Sequence, residues 1–409
     1  MEIRPILSSL LRNKTGALLI AAQVALGLAI VANAMYIIQE RVARVARPSG
    51  VGDESTQIRM AMVPLKDPDT PEETLALQER VAQTLRGVPG VASVAMTNQL
   101  PLSTSGWNMG LFLSPKQPES SSNTALYFGP DSLVDTLQLK LIEGRDFKPE
   151  DVELVDPDKT QSLGKIAIVT STLAKKLFPD NSAVGKTEYI GNGPQALPFQ
   201  IVGVVERLQT PWANTGERGE LSTILANRRV DTYLHFGVRS EPGQRDRVMK
   251  EIEAAMAKLP GLMKVRIESM EENRFDLYRN DRAIAWMLAV VTVLLLLVTA
   301  SGIVGMATLW VNQRRKQIGV RRALGARKVD ILRYFITENF LITSGGVVAG
   351  LVLAVALNQL LVSQLELTKL PIVYLAVGSV VLWLVGVAAV YAPAWRASSI
   401  SPAIATRSA

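Results

Sequence analysis

The chain has no cysteine and one histidine, His235. Any part of it outside the cytoplasm must fold without disulfides. Thiolate metal centres are excluded, and a lone imidazole leaves no basis for a zinc site. A complete phosphate-binding loop is missing too. Gly185, Lys186 and Thr187 have the ending of one, but the first glycine of the motif would fall at Asp180. They read as a turn after a short helix, so the chain is expected to hydrolyse no ATP. His235 stands in an alternating run with Tyr233, Leu234 and Phe236 and reads as a structural residue on a strand. Acidic pairs such as Glu271 with Glu272, and Glu150 with Asp151, read as solvated faces. No catalytic, cofactor-binding or metal-ligating residue is expected.

Charge is absent where it matters most. Windows 16–38, 283–311, 339–365 and 370–395 contain no Asp, Glu, Lys or Arg. Each exceeds the roughly 20 residues that carry a helix across about 30 Å of hydrocarbon. They read as four transmembrane helices, and their lack of ionisable groups argues against an ion path through the bilayer. Small residues are placed there for close helix packing, Gly302 with Gly305 and Gly346 with Gly350. The first window also has the form of a secretory signal, with Ala32, Asn33 and Ala34 as its cleavage site. It is expected to remain as an anchor.

The basic residues cluster between these windows. Arg4, Arg12 and Lys14 precede the first, while Arg314, Arg315, Lys316, Arg321, Arg322, Arg327, Lys328 and Arg333 lie between the second and third. Arg396 and Arg407 follow the fourth. The positive-inside rule places both termini and loop 312–338 in the cytoplasm, and 40–282 outside. Segment 40–282 holds 33 of the 37 acidic residues. The net charge of +7 thus comes from membrane-flanking loops and points to no nucleic-acid partner.

The organisation follows. Residues 1–15 read as an amphipathic helix on the inner surface, 16–47 as the first span with a stalk, and 269–311 as a second stalk and span. The exported domain, 48–268, carries a weak internal repeat. In one unit a helix over 71–85 stops at Pro89 and Gly90 before a strand over 91–97. In the other a helix over 244–258 stops at Pro260 and Gly261 before a strand over 263–268. With strands over 57–62 and 232–238 leading in, two β-α-β units form a ferredoxin-like lobe, 48–115 and 226–268. Residues 116–225 read as a second lobe inserted into it, with buried strands over 166–170 and 199–205. The expected fold is a membrane protein of four transmembrane α-helices, with a large α+β extracytoplasmic domain between the first and second. A third span at 339–365, a fourth at 370–395 and a cytoplasmic tail at 396–409 complete it.

The run 314–326, RRKQIGVRRALGA, followed by Asp330, Ile331, Leu332 and Glu338, resembles the cytoplasmic loop of FtsX/MacB-type ABC permeases. The C-terminal Pro393, Ala394, Arg396 and Ala397, then Pro402 and Ala403, resemble that family's closing signature. Stretches around Tyr127, 143–147, 174–185 and 201–205 are similar to its periplasmic core. The resemblance implies an inner-membrane permease that dimerises with itself or a related permease and recruits a separate ATPase dimer. ATP and Mg are then bound by that partner and not by this chain. It implies mechanotransmission, in which the ATPases move the periplasmic domain and cargo need not cross the bilayer. An adaptor and an outer-membrane channel are further implied partners, with an antibiotic, peptide or siderophore as cargo. Lipoprotein release, as in LolC/LolE-like permeases, and regulation of a cell-wall hydrolase, as in FtsX, are alternative tasks. A membrane sensor or scaffold without transport is the reading from another class.

In the loop itself, Ile318, Val320, Ala323 and Leu324 offer an apolar edge, and Gly319 and Gly325 permit close approach of a partner. With Gln317, Arg321 and Arg322 they form the expected ATPase-coupling surface. Lipid headgroups are the competing partner for its cations.

Overall fold

A computed structural model describes residues 14–159, 162–213, 216–259, 261–365 and 369–399. The expected surface helix over 1–15, Pro260, and the closing Pro402 and Ala403 lie largely or wholly outside them. The chain divides into a membrane unit, 1–43 with 281–409, and an extramembrane domain, 44–280.

In the extramembrane domain, the chain leaves helix α1 (Lys14–Val45) and enters strand β1 (Gln57–Pro64), helix α2 (Pro71–Arg86) and strand β2 (Val91–Thr97). Thr70 caps α2 by accepting from the Glu73 N–H, and Pro71 takes the first turn, where no donor is needed. Gly90, at φ +87°, turns the chain toward β2. Next come β3 (Asn108–Phe112), β4 (Ser122–Gly129), α3 (Leu133–Thr136), β5 (Leu141–Gly144), β6 (Glu153–Val155) and β7 (Ile166–Thr170). They are followed by α4 (Ser171–Leu177), β8 (Thr187–Ile190), β9 (Leu197–Val205) and β10 (Ser222–Arg229). The domain ends with β11 (Leu234–Ser240), α5 (Arg245–Met256), β12 (Leu262–Ser269) and α6 (Met270–Leu277).

Strands β12-β1-β11-β2 form one antiparallel sheet in that order. The two β-α-β units interlock, each contributing one central and one edge strand, which is the ferredoxin-like arrangement. Alternation along β1 sends Ile58, Met60 and Met62 toward Val81 and Leu85 of α2 and Val248 and Ile252 of α5. The other eight strands form a second sheet, β4-β3-β8-β9-β7-β10-β6, with β5 on β9. Pairing of β4 with β10 closes part of that path into a ring. Its core gathers Leu126, Val169, Leu173, Phe199, Ile201 and Leu225. This sheet starts at Asn108 and ends at Arg229, so it runs beyond the 116–225 expected for the inserted lobe. The added residues are the whole of β3 and the end of β10, which pair with partners distant in sequence, Phe112 with Tyr189 and Arg229 with Val155.

In the membrane unit, α1 is joined by α7 (Arg279–Gln313), α8 (Arg315–Ala323), α9 (Lys328–Leu365) and α10 (Ile372–Ser398). Four of these, all but α8, are long and apolar enough to span a membrane. The stretch 312–338, expected as a loop, is largely helical: α8 lies within it, and α9 begins eleven residues before 339. Asp330 explains the early start, because its carboxylate accepts from the Arg327 N–H at 3.0 Å and caps α9. Helix α1 is the central element. Its Ile20, Val24, Leu28 and Ala32 pack with Ile303 of α7, Val347 of α9 and Leu382 of α10.

Gly346 and Gly350 let α1 and α9 touch. A Cβ on Gly346 would lie 2.7 Å from the Ala21 carbonyl, and one on Gly350 would lie 2.9 Å from that of Ala25. Asn33 of α1 donates across to Ala354 O of α9 at 3.1 Å, and Asn339 of α9 to Gly386 O of α10 at 2.9 Å. Gly302 lies against Gln23, which donates to Val298 O. Gly305 differs from the expected packing pair: a Cβ there meets no atom within 4 Å. The two are three positions apart, so Gly302 and Gly305 point about 60° apart around the helix and only the first faces α1. Arg41 and Asp281 form an ion pair between α1 and α7.

Candidate functional site

The geometry that distinguishes one region of the membrane unit is at α8. A nine-residue helix is too short to be stable alone in water and must be held by its surroundings. The backbone breaks before it at Arg314 (φ −99°, ψ 10°) and after it at Leu324 and Gly325. Gly325 takes φ +95°. The Ala326 N–H bonds Arg321 O at 3.0 Å and the Gly325 N–H bonds Arg322 O at 3.2 Å, a glycine-dependent helix stop. The role of Gly325 is therefore to end α8, which a residue with a Cβ would do only under strain.

The inner face of α8 is seated on three spanning helices. Ile318 is 5% exposed and packs with Val311 of α7, Ile331 and Phe335 of α9, and Ala394 and Ala397 of α10. The two alanines explain the closing signature noted above, since larger side chains there would fill the seat of Ile318. Arg322 donates to the Ser398 carbonyl at the end of α10. Arg321 lies over the Tyr334 ring at 5.1 Å. Arg314 is bonded to both oxygens of Glu338, at 2.9 and 2.8 Å, and Glu338 is 1% exposed.

The nine residues expected to form one coupling surface thus divide. Gln317, Val320, Arg321, Ala323, Leu324 and Gly325 are exposed, with Leu324 at 84% and Val320 at 51%. Ile318 and Gly319 are buried and Arg322 is half-buried and engaged, so these three face the membrane helices. Six of the nine are thus open on the surface and three are packed against the spanning helices. Helical geometry accounts for this, because Ile318, Gly319 and Arg322 fall on one side of a 3.6-residue turn. Arg315, Lys316, Arg327, Lys328 and Arg333 are exposed around it and Asp330 is the one exposed acidic residue between 314 and 337, so the surface is strongly basic.

The groups set aside in the sequence have ordinary places. Gly185 (φ +83°) turns the chain into β8, with no helix N-terminus to receive a phosphate. His235 is paired across the sheet with Ala61 and Thr97, and stacks edge-on against Tyr233 at 4.7 Å. Burial, with the Arg59 charge beside it, pushes its pKa down to about 4. Glu188 on β8 was not singled out by its sequence, where Thr187-Glu188-Tyr189-Ile190 looks like an ordinary alternating edge. It is fully buried, neither carboxylate oxygen has a hydrogen-bond partner, and burial raises its pKa to about 8. Among the described residues no group of three or more His, Asp or Glu is placed to hold a metal.

Comparison with known proteins adds the family. The model for the MacB-like periplasmic core domain matches residues 17–255, and the model for the FtsX-like permease C-terminal domain matches 289–402. The macrolide export ATP-binding/permease protein MacB of Bradyrhizobium diazoefficiens is 27% identical over 301 residues, covering 70% of this chain and 45% of that protein. The MacB of Chromobacterium violaceum is 26% identical over 272 residues, 64% and 40% of the two chains. The pyoverdine export ATP-binding/permease protein PvdT of Pseudomonas entomophila is 27% identical over 255 residues, 58% and 37%. The chain therefore spans less than half the length of these relatives. The periplasmic region of MacB from Actinobacillus actinomycetemcomitans superposes on 55% of this chain and 92% of its own, at 15% identity and a TM-score of 0.33. The second family model covers α8 and the helices that seat it, and the first covers α1 and most of the extramembrane domain. The chain belongs to the MacB/FtsX family of ABC transporter permeases.

Proposed function

We propose that this chain is the permease subunit of an export-type ABC transporter, and that a dimer of ATPase subunits engages it through the exposed face of α8. The observation that carries this reading is the division of α8, fastened on one side to three spanning helices and open on the other. Its open side presents two apolar side chains, Val320 and Leu324, among cations. Covering a side chain of that kind contributes roughly 1.5–3 kcal/mol, more than an exposed ion pair does.

Energy for such work would arrive by this route. The chain holds no phosphate-binding loop, and windows 16–38, 283–311, 339–365 and 370–395 carry no charge. ATP and Mg would be held by the partner. A displacement of α8 would pass into α7, α9 and α10, and from α7 into the segment that returns from the extramembrane domain. That domain would then act on a cargo outside the inner membrane. Relatives named for macrolide and pyoverdine export favour an antibiotic or siderophore, with a peptide as the other candidate, and an adaptor and an outer-membrane channel would complete the route. The broad exposed face of α7, which includes Trp286, Val290, Val293 and Leu297, suits lipid or a second permease copy.

The test uses the full chain co-purified with its ATPase in nanodiscs. The double variant Val320→Asp/Leu324→Asp is expected to weaken ATPase binding at least tenfold. Unchanged binding in a folded double variant would refute the reading.

A further inference from the structure

We propose that Arg314 and Glu338 are a positioning pair that makes α8 a rigid lever on α9. The inference deepens the proposed docking of an ATPase on α8 and rests on it for its functional consequence, though not for its mechanical one. Three observations lead to it.

The first is that α8 is flanked by two backbone breaks, at Arg314 and at Leu324 with Gly325. Without side-chain ties both would be hinges, and a push on the exposed face would rotate α8 while α9 stayed still. The second is where the tie is made. Glu338 lies ten residues into α9, about 15 Å from its start at 1.5 Å per residue. The pair therefore bridges the first break to a point well along the spanning helix. The Arg314 guanidinium also approaches the Tyr334 hydroxyl at 3.5 Å, and Tyr334 lies one turn before Glu338 on the same face. Tyr334 in turn carries Arg321 over its ring. One face of α9 thus holds α8 at both its beginning and its end.

The third observation is the kind of bond. Glu338 is 1% exposed and the Arg314 side chain 15%, so both charges are largely withdrawn from water. A buried ion pair is weak evidence for stability, because an apolar pair of similar volume often serves as well. What it supplies is a tether: one guanidinium nitrogen meets both carboxylate oxygens, at 2.9 and 2.8 Å, and neither charge has water at hand to replace the other. Apolar packing around Ile318 alone would let α8 roll. Holding the start of α8 at a fixed separation from α9 is what a force-transmitting element requires and what a passive anchor does not.

The absence of cysteine makes the test clean. A spin label attached through Ala323→Cys, on the exposed face of α8, is measured in the full chain in nanodiscs without any ATPase. The label is expected to be immobile in the otherwise native chain. Glu338→Gln should shorten its correlation time at least threefold, and the swapped pair Arg314→Glu/Glu338→Arg should restore immobility. A label through Ser121→Cys in the extramembrane domain should be indifferent to both changes and serves as the folding control. An equally immobile α8 in folded Glu338→Gln, or a folded swap that fails to restore it, overturns the proposal.

A second arm adds the ATPase. Glu338→Gln should bind it within twofold of wild type yet lose at least fivefold of the ATP-dependent change at the Ser121→Cys label. Full retention of that change would also overturn the lever. If the unaltered chain shows no ATPase binding to α8, the docking reading fails, while the mobility result still decides whether the pair fixes the helix.

Discussion

Three buried polar groups of the membrane unit contrast with two of the extramembrane domain. In the membrane unit, Asn33, Asn339 and Glu338 each reach across to a second helix or its flanking residue. In the domain, Glu188 is buried with no hydrogen-bond partner, and His235 leaves Nδ1 unpaired. Polar groups that bridge elements couple their movements and fix their registers. Polar groups buried alone couple to nothing but the proton, and they set the stability of the sheet that holds them.

Packing gives the largest way to break that contrast. Gly350→Leu should abolish a monodisperse, folded membrane unit, because its Cβ alone would press on Ala25 O at 2.9 Å and on Leu28. A Cβ on Gly305 meets nothing within 4 Å, so Gly305→Leu should leave the melting temperature of the chain within a degree or so. Size-exclusion chromatography and thermal melts of the two variants make the comparison, and equal behaviour would contradict the packing described.

The next effects are smaller and lie in the domain. Folded Glu188 keeps its proton up to about pH 8, whereas an unfolded carboxyl loses it near 4.5. Folding takes up a proton between those values, so this contribution is complete below pH 4.5 and is lost as pH rises to 8. Glu188→Gln should remove that slope and stabilise the domain most at pH 8, by several degrees in a thermal melt. His235 runs the other way. Its folded pKa of about 4 lies below the ordinary 6.5, so its contribution is complete above pH 6.5 and lost as pH falls toward 4. His235→Gln should flatten the acid limb of the same melting profile by a smaller amount, since its pKa moves less, from 6.5 to about 4, than that of Glu188, from 4.5 to about 8. Slopes of the same sign for the two residues would end the comparison.

How much of this was legible in the sequence depends on the range of the interactions. Four spans could be read because 23 or more consecutive uncharged residues have few other uses. The ferredoxin-like lobe could be read because each unit is local: the strand over 91–97, the helix from Pro71 and the helix from Arg245 announce themselves by periodicity and Pro-Gly stops. The second sheet could not be read in full. Its strands β5, β6 and β8 are three or four residues long, and β10 pairs with β4, β6 and β7, all remote in sequence. Burial of Glu188 is a consequence of those remote pairings, so no local pattern announces it. At the candidate site, the segment was found through its basic residues and its likeness to the family, but its two faces were not. Nine residues give barely two and a half turns, and Arg322 looks like its exposed neighbour Arg321 until α10 supplies the Ser398 carbonyl.

The account stands on those two faces of α8, and a photo-crosslinking amino acid tests them most directly. Placed at Leu324 of the assembled transporter, it should crosslink to the ATPase; placed at Ile318, it should crosslink only within the chain. An ATPase crosslink from Ile318, or none from Leu324 in a complex that hydrolyses ATP, would contradict the assignment of α8 as the point where force enters.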